Sequence, residues 1–130
     1  MNLQQIFDKS ANHLLKQGAK SKLEKGERCK NTCAYRGENG LMCAVGCLID
    51  DAYYDSSMEG DAVDDSEEVR EALEKSGIDF HSNAPVLLLL SRLQWIHDDE
   101  DVDDWPYHLD KAADVFKLDK NYTGVSKDAI

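Results

Sequence analysis

The sequence predicts an α+β fold that is mainly α, with four or five helices packed around a central apolar helix at about 85–97 and a small β-hairpin at about 32–42. Three observations predict it. Apolar residues recur at helical spacing, the segment near 85–97 is apolar on nearly every side, and a glycine-containing turn signal lies within 32–42. The length of 130 residues suits one compact domain, predicted at 1–118, with a loose tail at 119–130.

Capping and breaking residues define the first two helices. The apolar stripe of the first, 3–17, stops before Gly18, and glycine commonly ends helices. Asp65 is predicted to cap the second helix, because Glu68 stands three residues later in capping-box spacing. The acidic stretch 50–65 that precedes this helix is predicted to be a loop.

Two prolines and an acidic run define the last two helices. Pro85 suits the first turn of the central helix. That helix should end near His97 and the acidic block 98–104 should be a loop, because several like charges follow His97 and would oppose the dipole at a helix C-terminus. Asp103 or Asp104 then caps a last helix, with Pro106 in its first turn.

The hairpin is predicted from the turn signal Gly37-Glu-Asn-Gly40. Glycine and asparagine tolerate the positive φ angles that tight hairpin turns require. A strand is expected on each side of this turn within 32–42. A short buried helix is expected to follow from about Cys43, because the residues after it are small and apolar.

Charge is distributed unevenly along the chain. Residues 1–49 carry 8 Lys/Arg and 4 Asp/Glu, a net of +4, whereas residues 50–130 carry 7 and 22, a net of −15. Such an acidic surface repels nucleic acids and anionic membranes and attracts basic ones. We therefore expect a partner protein with a basic surface, with no direct binding to nucleic acid or membrane.

The cysteines follow the pattern C-x3-C-x9-C-x3-C at Cys29, Cys33, Cys43 and Cys47. Thiolates in two pairs can hold a structural zinc ion, but each pair here is one residue wider than the usual C-x2-C knuckle. The alternative is a set of small buried thiols, which suits the apolar surroundings of Cys43 and Cys47. The sequence thus favours no cofactor and leaves zinc as the alternative.

Catalytic motifs are incomplete. The chain has no G-x-S-x-G, P-loop, H-E-x-x-H or dinucleotide-binding pattern. A nucleophilic Cys43 would need a nearby base, and no histidine is spaced to pair with it. The sequence therefore favours a binding protein over an enzyme.

Two groups of residues are candidate binding residues. The first is the acidic block Asp98, Asp99, Glu100, Asp101, Asp103 and Asp104. The second comprises the polar or reactive residues on otherwise apolar elements, namely Tyr35, Arg36, Cys43 and His97 with Asp98. We expect this second group to converge in one place.

Several short strings resemble a group of small uncharacterised proteins encoded by tailed phages and prophages. The strings are Leu3-Gln-Gln-Ile-Phe7, Cys33-Ala-Tyr-Arg36, Gly40-Leu-Met-Cys-Ala-Val-Gly-Cys-Leu-Ile49, Tyr54-Asp55, Met58-Glu-Gly60 and Leu93-Gln-Trp-Ile-His-Asp98. The resemblance covers about 3–117. It implies a phage or prophage origin and action in the cytoplasm of a bacterial host, but no activity. It also implies that Cys29 and Cys47 are optional, which weakens a four-cysteine zinc site.

These observations predict a small acidic phage-encoded accessory protein that binds and modulates a host protein. The target would be a defence or nucleic-acid-handling factor, met by the acidic second half of the chain as a nucleic-acid-like surface. The alternative is a cysteine-centred small enzyme or a zinc-stabilised binding module.

Overall fold

The computed structural model describes residues 1–22, 34–80 and 85–121. Within these ranges the chain forms four α-helices: α1 (Leu3–Gln17), α2 (Glu67–Lys75), α3 (Val86–Asp99) and α4 (Trp105–Phe116). Short 3-10 turns lie at Glu38–Gly40, Gly46–Leu48, Asp51–Tyr53, Ser56–Met58 and Val102–Asp104. The described ranges contain no β-strand, so the fold is mainly helical and the predicted α+β class is wrong.

The hairpin predicted at 32–42 is a turn without strands. Residues 32 and 33 lie outside the described ranges, and in the remainder a single antiparallel bridge joins Arg36 to Met42. Asn39 and Gly40 adopt φ angles of 60° and 76°, as such a turn requires. The chain therefore reverses direction here, but strand pairing does not continue beyond one bridge.

Side chains from distant segments bind backbone N–H groups on both sides of the turn. The N–H groups of Tyr35 and Arg36 both donate to the carboxylate of Glu59. The N–H of Met42 donates to Gln17 of α1 at 3.0 Å. Buried or partly buried backbone groups need such partners, and here they come from outside the turn. Strand pairing stops after the bridge because the N–H of Tyr35, which would face Cys43 in a longer hairpin, is bound by Glu59.

The helix predicted from Cys43 is also shorter than expected. Only a 3-10 turn, Gly46–Leu48, forms there, beneath α1. A Cβ atom on Gly46 would overlap the carbonyl oxygen of Tyr35, so only glycine allows this close approach of two backbones.

Helix α1 has the predicted bounds, 3–17, whereas the residue that caps α2 lies one position later than predicted. The side chain of Ser66, not Asp65, caps α2 by accepting from the N–H of Val69 at 3.1 Å. Glu68 does not complete a capping box, because three residues after Ser66 stands Val69. The Glu68 carboxylate instead accepts from the hydroxyl of Ser57 at 2.6 Å. The predicted cap was therefore one residue off.

The core is built by α1, α3 and α4, each of which contacts the other two. Helix α2 adds a buried face of Val69, Ala72 and Leu73. Helix α3 is one member of this three-helix core and is not its enclosed centre, because Leu88 is 67% exposed and Trp95 is 41% exposed. The excess of apolar residues in α3 therefore reaches the surface.

The end of the described chain is tied to its beginning. The backbone N–H and carbonyl of Asp119 both bond to the side chain of Gln4, at 2.8 and 2.9 Å. The predicted tail 119–130 is thus attached at its first residue, and 122–130 lie outside the described residues. None of the helices in the described parts is both long and apolar enough to cross a membrane.

Candidate protein-binding surface

The acidic block lies where α3 ends and α4 begins, and we call the segment Asp98–Asp104 the acidic junction. Four of its carboxylates are exposed to solvent: Asp99, Asp101, Asp103 and Asp104. Helix α3 extends to Asp99 and not only to His97, and a 3-10 turn at Val102–Asp104 leads directly into α4. The junction is therefore short and structured, where the sequence predicted an acidic loop.

The other two carboxylates of the junction are held by histidines. Asp98 lies 2.8 Å from Nδ1 of His97, and Glu100 lies 2.9 Å from Nε2 of His108. The backbone carbonyl of Glu100 also accepts from the indole Nε1 of Trp105 at 3.3 Å. These contacts fix the path of the segment, so the four exposed carboxylates are presented from a defined frame.

Two exposed aromatic residues flank the acidic junction. Trp95 is 41% exposed and Tyr107 is 59% exposed, and both contact His108 edge-on, with ring centroids 5.5 and 5.1 Å away. Tryptophan and tyrosine are enriched among the residues that dominate protein interfaces. Trp95 lies in the helix at about 85–97 that was predicted to be central, and Tyr107 had no predicted role. The available signal was that α3 carries more apolar residues than one buried face can hold.

The second predicted group is only partly brought together. Tyr35, Cys43 and Asp98 line one cavity of about 170 Å³, together with Asp61 and Gln94. The Tyr35 hydroxyl donates to the backbone carbonyl of Asp61 and accepts from the Gln94 amide. Burial raises the pKa of this phenol far above its usual value, so it stays neutral.

Arg36 lies elsewhere and does not line that cavity. Its guanidinium pairs with Asp51 at 2.6 Å, donates to the carbonyls of Gly46 and Ile49, and lies over the ring of Tyr54 at 5.0 Å. These contacts fasten the turn at 46–48 to the loop that follows it. The predicted single site around Arg36 and His97 is therefore two separate sets of contacts.

Glu59 is a residue that sequence reasoning missed. It is only 5% exposed, and its carboxylate accepts from the N–H groups of Tyr35 and Arg36 at 2.9 and 3.1 Å and from the hydroxyl of Tyr54 at 2.6 Å. We call Glu59 with these three partners the Glu59 network. A buried carboxylate requires such donors. The one sequence signal was its place in the string Met58-Glu-Gly60.

His97 is fully buried and both of its ring nitrogens are engaged. Nε2 accepts from the backbone N–H of Ser21 at 2.9 Å, so the ring proton lies on Nδ1 and donates to Asp98. The Lys20 ammonium donates to the Asp98 carbonyl at 3.2 Å. His97 thus joins the segment before residue 22 to the end of α3, and it has no nitrogen left to act as a base.

The two described cysteines are protonated thiols. Burial raises the pKa of the Cys43 thiol well above its usual value, although the N–H of Gly46 points at its sulfur from 3.2 Å. Cys47 is partly buried, but its sulfur turns inward to the carbonyl of Ala44, and burial raises its pKa to about 12. Neutral thiols are poor nucleophiles and poor metal ligands.

The predicted four-cysteine zinc site is only half described, because Cys29 and Cys33 lie outside the described residues. Among 1–22, 34–80 and 85–121, no group of three or more histidine, cysteine or acidic side chains is arranged to hold a metal ion. The zinc site stays a prediction.

Comparison with known proteins gives this chain no relative. No protein-family model matches it, and neither curated proteins nor solved structures contain a significant match.

Proposed function

We propose that this chain is a small acidic accessory protein of phage or prophage origin that binds and modulates a host protein through the acidic junction. The observation that carries the proposal is the exposure of Asp99, Asp101, Asp103 and Asp104 on a short structured segment. The partner would present a basic surface, and the site of action would be the cytoplasm of a bacterial host.

The arrangement around the junction supports binding to a protein. Carboxylates held on a fixed frame lose little conformational freedom when they meet a basic partner. Trp95 and Tyr107 add exposed aromatic surface beside them, which can supply affinity where the charges supply steering and specificity. A defence or nucleic-acid-handling factor is the expected target, because such proteins carry basic surfaces that select a regular array of negative charge.

The test is affinity capture of the tagged protein from host bacterial lysate, followed by a stepped salt wash and mass spectrometry. We expect one stoichiometric protein that is released at moderate salt, because exposed ion pairs are screened. Direct binding of that protein is then compared between wild type and the variant Asp99→Lys/Asp101→Lys/Asp103→Lys/Asp104→Lys. This variant leaves Asp98 and Glu100 with their histidines, and we expect it to abolish binding.

A matched variant separates local charge from total charge. Glu38, Asp50, Asp64 and Asp65 are also exposed, and lysine at these four positions changes the net charge by the same amount. We expect this variant to retain binding. Unchanged affinity in the junction variant, or equal loss in both, would contradict a specific role for the acidic junction.

The cysteine-centred enzyme gains no support from the two described thiols, because burial holds both of them protonated.

A further inference from the structure

We propose that the exposed groove along α3 is a self-complementary interface at which two copies of this chain form a two-fold dimer. The groove contains none of the carboxylates of the acidic junction and shares Trp95 with the surface that flanks it. It presents apolar side chains in the middle and opposite charges at its two ends. Its exposed apolar side chains and both signs of charge lie along one helix.

One end of the groove lies between α2 and α3 and is acidic. It encloses about 490 Å³, with an apolar floor that includes Phe80 and Leu88. Glu67, Glu71 and Glu74 form its α2 wall, and all three are exposed. Arg70 also lines this end, but it donates to the carbonyl of Val63 at 3.2 Å. The charge offered to a partner here is therefore negative.

The other end lies between α3 and the C-terminal turn of α4, and its charged residues are basic. It encloses about 640 Å³ and is lined by Trp95, Val115 and Phe116 together with Arg92 and Lys117. Among the described residues that line this part of the groove, none carries a carboxylate.

Leu88 joins the two ends into one surface, because it lines both of them and is 67% exposed. Val115 beyond it is 59% exposed. Large apolar side chains that are exposed this far and lie together mark an interaction surface. Burial of Leu88, in the middle of the groove, and of Val115 beyond it would therefore contribute most to the stability of a complex.

A second copy fits this pattern because a two-fold axis places a residue on the axis opposite its own copy, and a residue away from the axis opposite a different residue of the partner. With the axis near Leu88, two α3 helices run antiparallel, and each acidic end faces the basic end of the other copy. Glu71 of one copy then lies opposite Arg92 of the other, and the same pairing occurs twice. A partner with a uniformly basic surface would repel Arg92 and Lys117, so the groove suits a second copy better than the partner proposed for the acidic junction.

The mass of the purified full chain in solution tests this proposal directly. Sedimentation velocity over a concentration series, at about 0.15 M salt where screening limits repulsion between two chains of net charge −11, should give twice the chain mass of 14.6 kDa. A monomer at every concentration overturns the proposal.

Leu88→Glu should raise the dimer dissociation constant by at least about 30-fold, because the substitution lies at the centre of the interface and occurs twice. Leu88 is mostly exposed, so the helical circular dichroism spectrum should not change. Tyr107→Glu is the matched control, since Tyr107 is also exposed but lies outside the groove. A dimer that survives Leu88→Glu as well as it survives Tyr107→Glu would place the interface elsewhere and refute the groove.

A charge exchange tests the antiparallel arrangement. Glu71→Arg and Arg92→Glu should each weaken the dimer by about 3- to 10-fold, because each creates two repulsive contacts. The double variant should recover most of the loss, because it restores two attractive pairs. Failure to recover would contradict this register. If the chain is monomeric and Leu88→Glu instead abolishes retention of a host protein, the groove belongs to that partner and the dimer is wrong.

Discussion

Carboxylates occupy opposite surroundings in two regions of this molecule. In the Glu59 network one carboxylate is 5% exposed and accepts hydrogen bonds from two backbone N–H groups and a tyrosine. In the acidic junction four carboxylates face solvent, and the contacts that hold the segment are made by its other two acidic residues. The first arrangement uses charge to stabilise a backbone path, and the second leaves charge available for a partner.

This difference separates the residues that specify the fold from those that can bind. The first kind includes Tyr35, Gly46, Glu59 and His97, whose hydrogen bonds or close packing are made inside the chain. The contacts of these four residues stabilise the fold. The exposed junction and the groove along α3 are where substitutions should change binding without changing the fold.

The largest expected effect comes from removing the buried carboxylate. Glu59→Ala leaves the N–H groups of Tyr35 and Arg36 and the hydroxyl of Tyr54 without their acceptor. Unsatisfied buried polar groups cost about 1–3 kcal/mol each, so we expect the free energy of unfolding to fall by about 3–5 kcal/mol. Urea denaturation followed by circular dichroism measures this.

The control for Glu59 is Glu68→Ala, since Glu68 is an exposed glutamate with a hydrogen bond to Ser57. Its removal should change the free energy of unfolding by about 0.5 kcal/mol or less. Equal small effects at the two positions would show that the buried carboxylate of Glu59 stabilises the fold no more than the exposed carboxylate of Glu68.

Gly46→Ala should give the next largest effect. The added methyl group would overlap the carbonyl oxygen of Tyr35, which belongs to the backbone and cannot move aside cheaply. We expect a loss of about 2–3 kcal/mol in the free energy of unfolding. Gly40→Ala is a suitable reference, because Gly40 has φ of 76° but open space around it, and should cost about 1–2 kcal/mol. A smaller loss for Gly46→Ala than for Gly40→Ala would contradict the close approach of the two backbones.

The sequence predicted those parts of the fold that depend on nearby residues. Helix α1 was predicted with its observed bounds, because its apolar stripe and Gly18 lie within the helix and its cap. The hairpin prediction failed because the N–H of Tyr35, which would extend the strand pairing, is bound by Glu59, more than twenty residues away in the chain. No local pattern records such partners.

The candidate site could be predicted only in part, because some of its contacts leave no local pattern in the sequence. The acidic junction stands out as a run of charge, but nothing in the run shows that Asp98 and Glu100 bind histidines and that the others do not. The groove along α3 was hidden because an all-apolar helix predicts burial on every side. Exposure of Leu88 depends on how the three core helices share their faces, and that is a property of the packed structure.

Alkaline pH should lower the free energy of unfolding through the buried Cys43 thiol. Burial raises the folded-state pKa of the Cys43 thiol above its ordinary value of 9.0, so the thiol stays protonated in the fold and ionises when the chain unfolds. The stabilisation is fully present below pH 9 and is lost as pH rises above it, by about 1.4 kcal/mol per pH unit for such a thiol.

This loss is measured as the slope of the unfolding free energy between pH 9 and pH 10. We expect Cys43→Ala to have a shallower slope than wild type, even though it is less stable at pH 7 because of the cavity it leaves. An identical slope in the two proteins would mean that the pKa of Cys43 is the same in the folded and the unfolded chain. That result would contradict the effect expected from its burial.

The smallest expected effect compares two tyrosines, one from each region. Tyr35 is 3% exposed and its hydroxyl bonds to the Asp61 carbonyl and the Gln94 amide, whereas Tyr107 is 59% exposed beside the acidic junction. Tyr35→Phe removes only one oxygen but leaves two polar groups short of a partner, so we expect a loss of about 1–2 kcal/mol. Tyr107→Phe should leave the free energy of unfolding unchanged within about 0.5 kcal/mol. Thermal and urea unfolding of the two variants, measured side by side, tests whether Tyr35 stabilises the fold and Tyr107 does not, as their exposed fractions indicate. Equal losses would show that Tyr107 also belongs to the framework.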